Sequence, residues 1–392
     1  MRPYTKRLTL ALALLLTAST FSGCWDNKEI NQVSIITGSA VDLSSMPGMI
    51  DLTLEIANTQ NSQAGSGGSP SDGDSAFSML KATSATVMGC LIQIDQNSNH
   101  TTMSKHNQVR LFGSTLCEQG LKDHIDMFIR DQQTRMEVPM LVVEGNAGEA
   151  ISAKLAEEEL CGIFLASMLE DQVHISPAYR VRLIDFMKTL LEGTTSAVIP
   201  LVKLFQEGEK QAINIIGMAV FKDDRMVGRL SNDDSLGYIW SLGKVKNSNV
   251  MLTEGTNTAV LHLSRLDCNR KVSLRPDGGV RVELHLTGIS SIAELSGFGQ
   301  TKLADLMPYL ETLSKAEIRE RILATFEISK ELRADIYGFG TSVYRAYPRQ
   351  WKEMEGNWDE LFRQLELIVE VDLQLVSTGQ IVQSLTMEEN SQ

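Results

Sequence analysis

Positive charge is scarce in this chain: 36 Lys and Arg stand against 49 Asp and Glu, for a formal net charge of −13 over 392 residues. Beyond Arg2, Lys6 and Arg7 no basic cluster forms. Nucleic-acid binding rests on neutralising phosphates with Lys and Arg, so no nucleic-acid partner is expected. Cysteine is sparse as well, and the spacing of the five present matches no CxxC pattern. His100 and His106 lie close in sequence without a Cys or carboxylate constellation, which is a poor metal site. There is no GxSxG elbow, Walker loop or HExxH. No catalytic residue, metal or cofactor is therefore implied. Long apolar runs are limited to residues 8–18, far short of the roughly 20 residues a membrane-spanning helix needs.

That run has basic residues before it and Ser22, Gly23 and Cys24 after it, the three zones of a secretory signal peptide over residues 1–23. Cleavage would make Cys24 the new N-terminus, which resembles the bacterial lipoprotein pattern, in which the cysteine thiol carries a diacylglycerol. Loss of residues 1–23 removes three positive charges and no negative ones, moving the formal charge from −13 to −16. Anionic lipid repels such a chain, so lipidation at Cys24 has to hold it to the membrane. Two or more acyl chains suffice, at about 0.8 kcal/mol per buried CH₂. Trp25 then falls at head-group depth.

The length suggests two or three domains, and 43% hydrophobic residues are enough for cores. The expected class is α+β and multi-domain. Residues 24–205 form a mixed α/β region, residues 206–380 a C-terminal domain with a mostly antiparallel sheet packed by a long helix, and residues 381–392 a polar tail. "QVSIITGSAV" and "IDLTLEIAN" read as strands. In the second, Ile50, Leu52, Leu54 and Ile56 alternate with Asp51, Thr53 and Glu55, which predicts one buried and one wet face. Residues 61–75, "NSQAGSGGSPSDGDS", lack apolar side chains and read as a loop inside one domain. A strand from Phe77, a helix over 86–96, a strand in "HNQVRLFGSTL", an amphipathic helix in "GLKDHIDMFIRDQQTR" and a strand in "EVPMLVVEGNA" continue the alternation. Helical runs at 158–172 and 178–191 precede the β-like "AVIPLVKLF".

In the second half, "INIIGMAVFKDDRMVGRL" reads as a hairpin whose Asp223 and Asp224 serve the turn rather than acid–base chemistry. "RKVSLRPDGGVRVELHL" is a second hairpin with Val280, Val282, Leu284 and Leu286 on one face and His285 on the other. Ser314 and Glu317 make a capping box, with Leu313 and Ile318 as the accompanying staple. A helix is predicted from Ser314, with Ile318, Ile322, Phe326 and Ile336 as its stripe and Gly338 as its end. The final strand is "LELIVEVDLQL". Cys90 and Cys161 sit in apolar helical runs, which favours free, buried thiols over disulfides among Cys90, Cys117, Cys161 and Cys268.

Three stretches together resemble the Ger(x)C family, the lipoprotein C subunits of nutrient germinant receptors in endospore-forming bacteria. They are "GCWDNKEINQVSIITG", with Trp25, Asp26 and Glu29 after the cysteine; "DMFIRDQQTRMEVPMLVVEGNAGEAI", with Phe128, Arg130 and Asp131; and "ADIYGFGTSVYRAYPRQWKEMEGNWDELF", with Asp335, Gly338, Gly340, Trp351, Trp358 and Phe362. The resemblance implies a three-domain α+β subunit on the outer face of the spore inner membrane. It also implies A-type and B-type membrane subunits as partners, which bind nutrient and conduct ions. Asp26, Arg130, Asp131 and Trp351 are candidate partner contacts. The residue types favour other roles for some of them: Trp351, Trp358 and Phe362 as core on one side of a short helix, and Arg130 with Asp131 as a helix-end ion pair. Two different readings stand beside this one. A solute-binding lipoprotein of an importer would have two similar lobes around a cleft; a cell-wall hydrolase would need catalytic groups distant in sequence.

Overall fold

The computed structural model describes residues 33–57, 77–98, 101–131, 134–155, 160–175, 179–208, 210–243, 245–299 and 301–376. Cys24, Trp25, Asp26, the 61–75 loop and the 381–392 tail lie outside them.

The first half builds one mixed sheet. Its chain order is β1 (Val33–Leu43), β2 (Ile50–Ala57), β3 (Phe77–Ser84), α1 (Val87–Gln96), β4 (Thr101–Met103), β5 (Val109–Gly113), α2 (Ser114–Gln119), α3 (Lys122–Arg130), β6 (Met140–Val143), α4 (Ala147–Ile151), α5 (Cys161–Val173), α6 (Leu183–Glu192), β7 (Val198–Glu207), β8 (Lys210–Lys222), β9 (Arg225–Ser231) and α7 (Asn232–Leu242). The nine strands run β3-β2-β1-β5-β6-β7-β8-β9, with β4 beside β1. The central pairs β1/β5, β5/β6 and β6/β7 are parallel, and the flanking pairs are antiparallel. Parallel strands need cover on both faces. Phe112, Met140 and Val142 meet α1, α2, α3 and α6 on one side; Leu111, Leu141 and Val143 meet α4 and α5 on the other.

The second sheet is smaller and differently ordered: β10 (Ser248–Glu254), β11 (Asn257–Leu274), β12 (Val280–Ser296) and β13 (Glu366–Val376) lie side by side. Between β12 and β13 come α8 (Leu303–Glu331), α9 (Phe339–Ala346), α10 (Pro348–Met354) and α11 (Trp358–Arg363). β10/β11 and β11/β12 are antiparallel, whereas β13 returns parallel to β12, because the long helical excursion brings the chain back to the same end. One core is common to both sheets: Val198, Met218, Val220 and Leu230 of the large sheet join Leu261, Val282, Leu284 and Val369 of the small one around α7 and α8. The two sheets thus differ in size and order, unlike paired lobes around a cleft.

Three local expectations are corrected. Thr53 and Glu55 are buried rather than wet, because α4 and α5 cover the second face of β2. The long helix begins at Leu303, eleven residues before Ser314, whose hydroxyl bonds the Glu311 carbonyl at 2.9 Å inside the helix. Buried Leu306 and Leu310 extend the stripe of Ile318, Ile322 and Phe326 upstream, and their burial outweighs the penalty of Pro308 within the helix. Gly338 does not end this helix but opens α9, and Ile336 lies buried in the loop between them. Cys90, Cys117, Cys161 and Cys268 are free thiols, the first three buried.

Candidate functional site

The "DIYGFG" segment turns the chain from α8 into α9, and Asp335 organises the turn. Its carboxylate accepts the amides of Phe339 at 3.0 Å and Gly340 at 2.7 Å, and the Trp358 indole N–H at 3.2 Å. A carboxylate at a helix N-terminus takes orphan amides and favours the positive end of the helix dipole. Gly338 supplies the left-handed backbone, φ +66°, from which α9 starts. Gly340 is required by space. A Cβ there would lie 2.9 Å from Trp358 Nε1 and 3.1 Å from Trp351 Cη2.

Trp351 is 4% exposed, with its ring 5.2 Å from that of Trp358. Trp351 is thus core, as its residue type suggested, although it sits on α10 while Trp358 and Phe362 sit on α11. Arg270 donates to the Tyr337 carbonyl at 2.7 Å and lies 4.8 Å over the Phe339 ring. Burial pushes the Asp335 carboxyl up to about 6, against the pull of its three donors and of Arg270. The same burial lowers Arg270.

This segment also meets the large sheet. The Ser196 amide donates to the Asp335 carbonyl at 2.9 Å, Thr194 and Thr195 share hydroxyl contacts with Thr341 at 2.6 and 3.1 Å, and Lys222 pairs with Asp359. Residues 194–196 link α6 to β7, so the motif is a joint between the two sheets.

Two further buried carboxylates fix helices in the first half. Glu55 accepts the amides of Cys161 at 2.7 Å and Gly162 at 2.9 Å, and the Thr37 hydroxyl at 2.7 Å, which docks α5. Asp42 accepts the amides of Ala147 and Gly148, each at 2.7 Å, which docks α4. Desolvation raises both carboxyls above their ordinary values despite these donors. Sequence reading missed both as site residues. Glu55 looked solvent-facing by alternation; the available signal was Gly162 at the start of an apolar helix.

The Phe128-x-Arg130-Asp131 segment ends α3. Arg130 is largely exposed and pairs with Asp126 at 2.6 Å, one turn earlier, not with Asp131. Beneath, buried Arg110 lies 3.8 Å over the Phe128 ring, and the Asp131 charge acts on it. Burial takes the Arg110 guanidinium down to about 9. Phe128 and Asp131 thus have an inward task, while Arg130 points to solvent. Asp223 and Asp224 form the β8–β9 turn, with Asp224 Oδ2 accepting the Lys122 amide at 3.0 Å.

Comparison with known proteins bears on both halves. A family profile described as "Spore germination protein N-terminal domain" matches residues 26–204, and one described as "Spore germination B3/ GerAC like, C-terminal" matches residues 216–379. Spore germination protein KC of Bacillus subtilis (strain 168) is 22% identical, over 95% of this chain and 96% of its own. Spore germination protein B3 of the same organism is 20% identical, over 93% and 99%. In fold, the chain is similar to the crystal structure of the GerBC protein, with a TM-score of 0.57 at 15% identity, covering 90% of this chain and all of that one. The chain belongs to the Ger(x)C family, the C subunits of spore germinant receptors.

Proposed function

We propose that this chain is a lipid-anchored, non-enzymatic subunit of a nutrient germinant receptor, held on the outer face of the spore inner membrane as a scaffold or signal coupler for A-type and B-type membrane subunits. The carrying observation is where the motif residues go. Asp335, Gly338, Gly340, Trp351, Trp358 and Phe362 converge on a joint that fixes one sheet against the other. A protein that relays or supports needs such rigidity between its bodies. Nutrient binding is assigned to the membrane partners. Of the candidate contacts, exposed Arg130 suits a direct role, Asp26 lies outside the described residues, and Trp351 acts from inside, by holding the joint.

Anchoring rests on Cys24 and the segment before it. The Cys24→Ala variant is expected to lose lipidation and to leave the membrane fraction. Unchanged membrane retention and unchanged signal processing on fractionation would overturn the anchor. For the division of labour, calorimetry of the chain with amino acids and sugars should give no tight binding. Tight binding by this subunit alone would return the solute-binding reading.

A further inference from the structure

Four strands of the large sheet, β1, β5, β6 and β7, run parallel, so they start from one edge of it. Gly38 pairs with Val109, Arg110 with Met140 and Val142 with Leu201. Residues 194–196, just before β7, therefore lie level with the first residues of β1, three strands away, which is roughly 14 Å at about 4.8 Å per strand. Two elements bring apolar side chains to this rim. Leu191, near the end of α6, is 82% exposed, and no large apolar side chain among the described residues is more so. Tyr344 is 53% exposed, one turn beyond Thr341, whose hydroxyl meets those of Thr194 and Thr195. Phe339, Gly340 and Val343 are buried on the inner side of α9, so Thr341, Tyr344 and Arg345 share its outer side.

Single exposed apolar side chains need no partner. What sets this rim apart is the chain that leads to it. Cys24 precedes Val33 by nine residues, which span at most roughly 32 Å. β1 itself has 11 residues and is roughly 36 Å long. A lipid on Cys24 therefore brings the starting edge of β1 to the bilayer and leaves the Met46 turn, at the far end of β1, the height of the sheet away. Charge agrees with this placement. Lys188 on α6 and Arg345 on α9 are exposed there against Glu192, in a chain whose formal charge is −13. Lys188 acts on Asp185, which Arg182 already pairs, and among the described residues no carboxylate lies within salt-bridge distance of Arg345. The rim is thus spared the acidic excess that repels anionic lipid from the chain as a whole.

We propose that the rim formed by the end of α6 and the outer side of α9 lies against an anionic bilayer surface. Leu191 and Tyr344 sit at head-group depth, where an amphipathic ring is favoured, and Lys188 and Arg345 meet lipid phosphates. This contact rests on the anchored reading of Cys24 and adds which face of the molecule the anchor holds to the membrane.

The test is photolabelling of the full acylated chain on vesicles of phosphatidylcholine and phosphatidylglycerol that carry a photoactivatable group at head-group depth, read by peptide mass spectrometry. Label is expected on the peptides that hold Leu191 and Tyr344, and not on the Met46 turn. The double variant Leu191→Asp, Tyr344→Asp should lose most of the label on the remaining rim residues at unchanged Tm, since both side chains are exposed. Label on the Met46 turn instead, or rim label untouched by the double variant, would overturn the proposal. So would an unlabelled rim that crosslinks to a membrane subunit in spore membranes, since the rim would then be a protein interface. The two readings fail apart: an acylated chain on vesicles without rim label overturns the rim contact alone, whereas a chain that carries no acyl mass and leaves the vesicles overturns the anchor, and the rim contact with it.

Discussion

Gly340, Trp351 and Trp358 share a space with no slack, so small changes there should be felt. Gly340→Ala forces a methyl group against two indole rings and is expected to cost about 1–3 kcal/mol, read as a lower Tm. Trp351→Ala empties a large buried site and should cost on the order of 3–5 kcal/mol. A near-normal melt for Trp351→Ala with loss of partner subunits would instead make Trp351 a docking residue. Asp335 adds a pH signature. Its folded-state pKa, about 6, lies above the unfolded value of about 3.9, so the folded state holds the proton more tightly. The contribution of this group is fully present below about pH 4 and is lost as pH rises through 6. The stability gap between wild type and Asp335→Asn should therefore narrow from pH 4 to pH 7 in denaturant titrations; a gap that widens would contradict the assignment. At this scale the aromatics were legible, because their size and spacing already demanded burial. Asp335 was visible only as part of a motif, since nothing local says that its partners are amides four and five residues on and an indole 23 residues away.

Among the elements, β2 and α8 separate what periodicity can reveal from what it cannot. Alternation in β2 identified Ile50, Leu52, Leu54 and Ile56 as buried, and they are. It assigned Glu55 to water because a carboxylate in a strand normally faces out, and it could not know that α5 would bring two amides to it. Glu55→Ala leaves those amides without their acceptor and should destabilise the chain by about 2–4 kcal/mol. Hydrogen exchange should localise the loss to the first turn of α5; exchange unchanged at Cys161 and Gly162 would argue that Glu55 does not dock that helix. In α8 the capping-box signature at Ser314 was real as a pattern but overridden by burial of Leu310 and Leu306, one and two turns upstream. The strand "LELIVEVDLQL" was legible as a strand, whereas its parallel partnership was not, since pairing direction follows from the route of α8 to α11 rather than from its own residues.

For the whole molecule, the sequence carried the α+β class and the family, because turn residues, alternation and three spaced motifs are local signals. It did not carry the common core, in which β7, β8 and β9 of the large sheet pack with the small sheet around α7 and α8. That core, together with the Asp335 joint, supports the proposed scaffold role over a pair of lobes that close on a ligand. The proposal that this subunit works by holding membrane-embedded partners is tested most directly by crosslinking of intact spore membranes followed by mass spectrometry. Crosslinks are expected from this chain to both A-type and B-type membrane subunits. Recovery of the chain crosslinked to neither, in membranes where the two membrane subunits are crosslinked to one another, would contradict it.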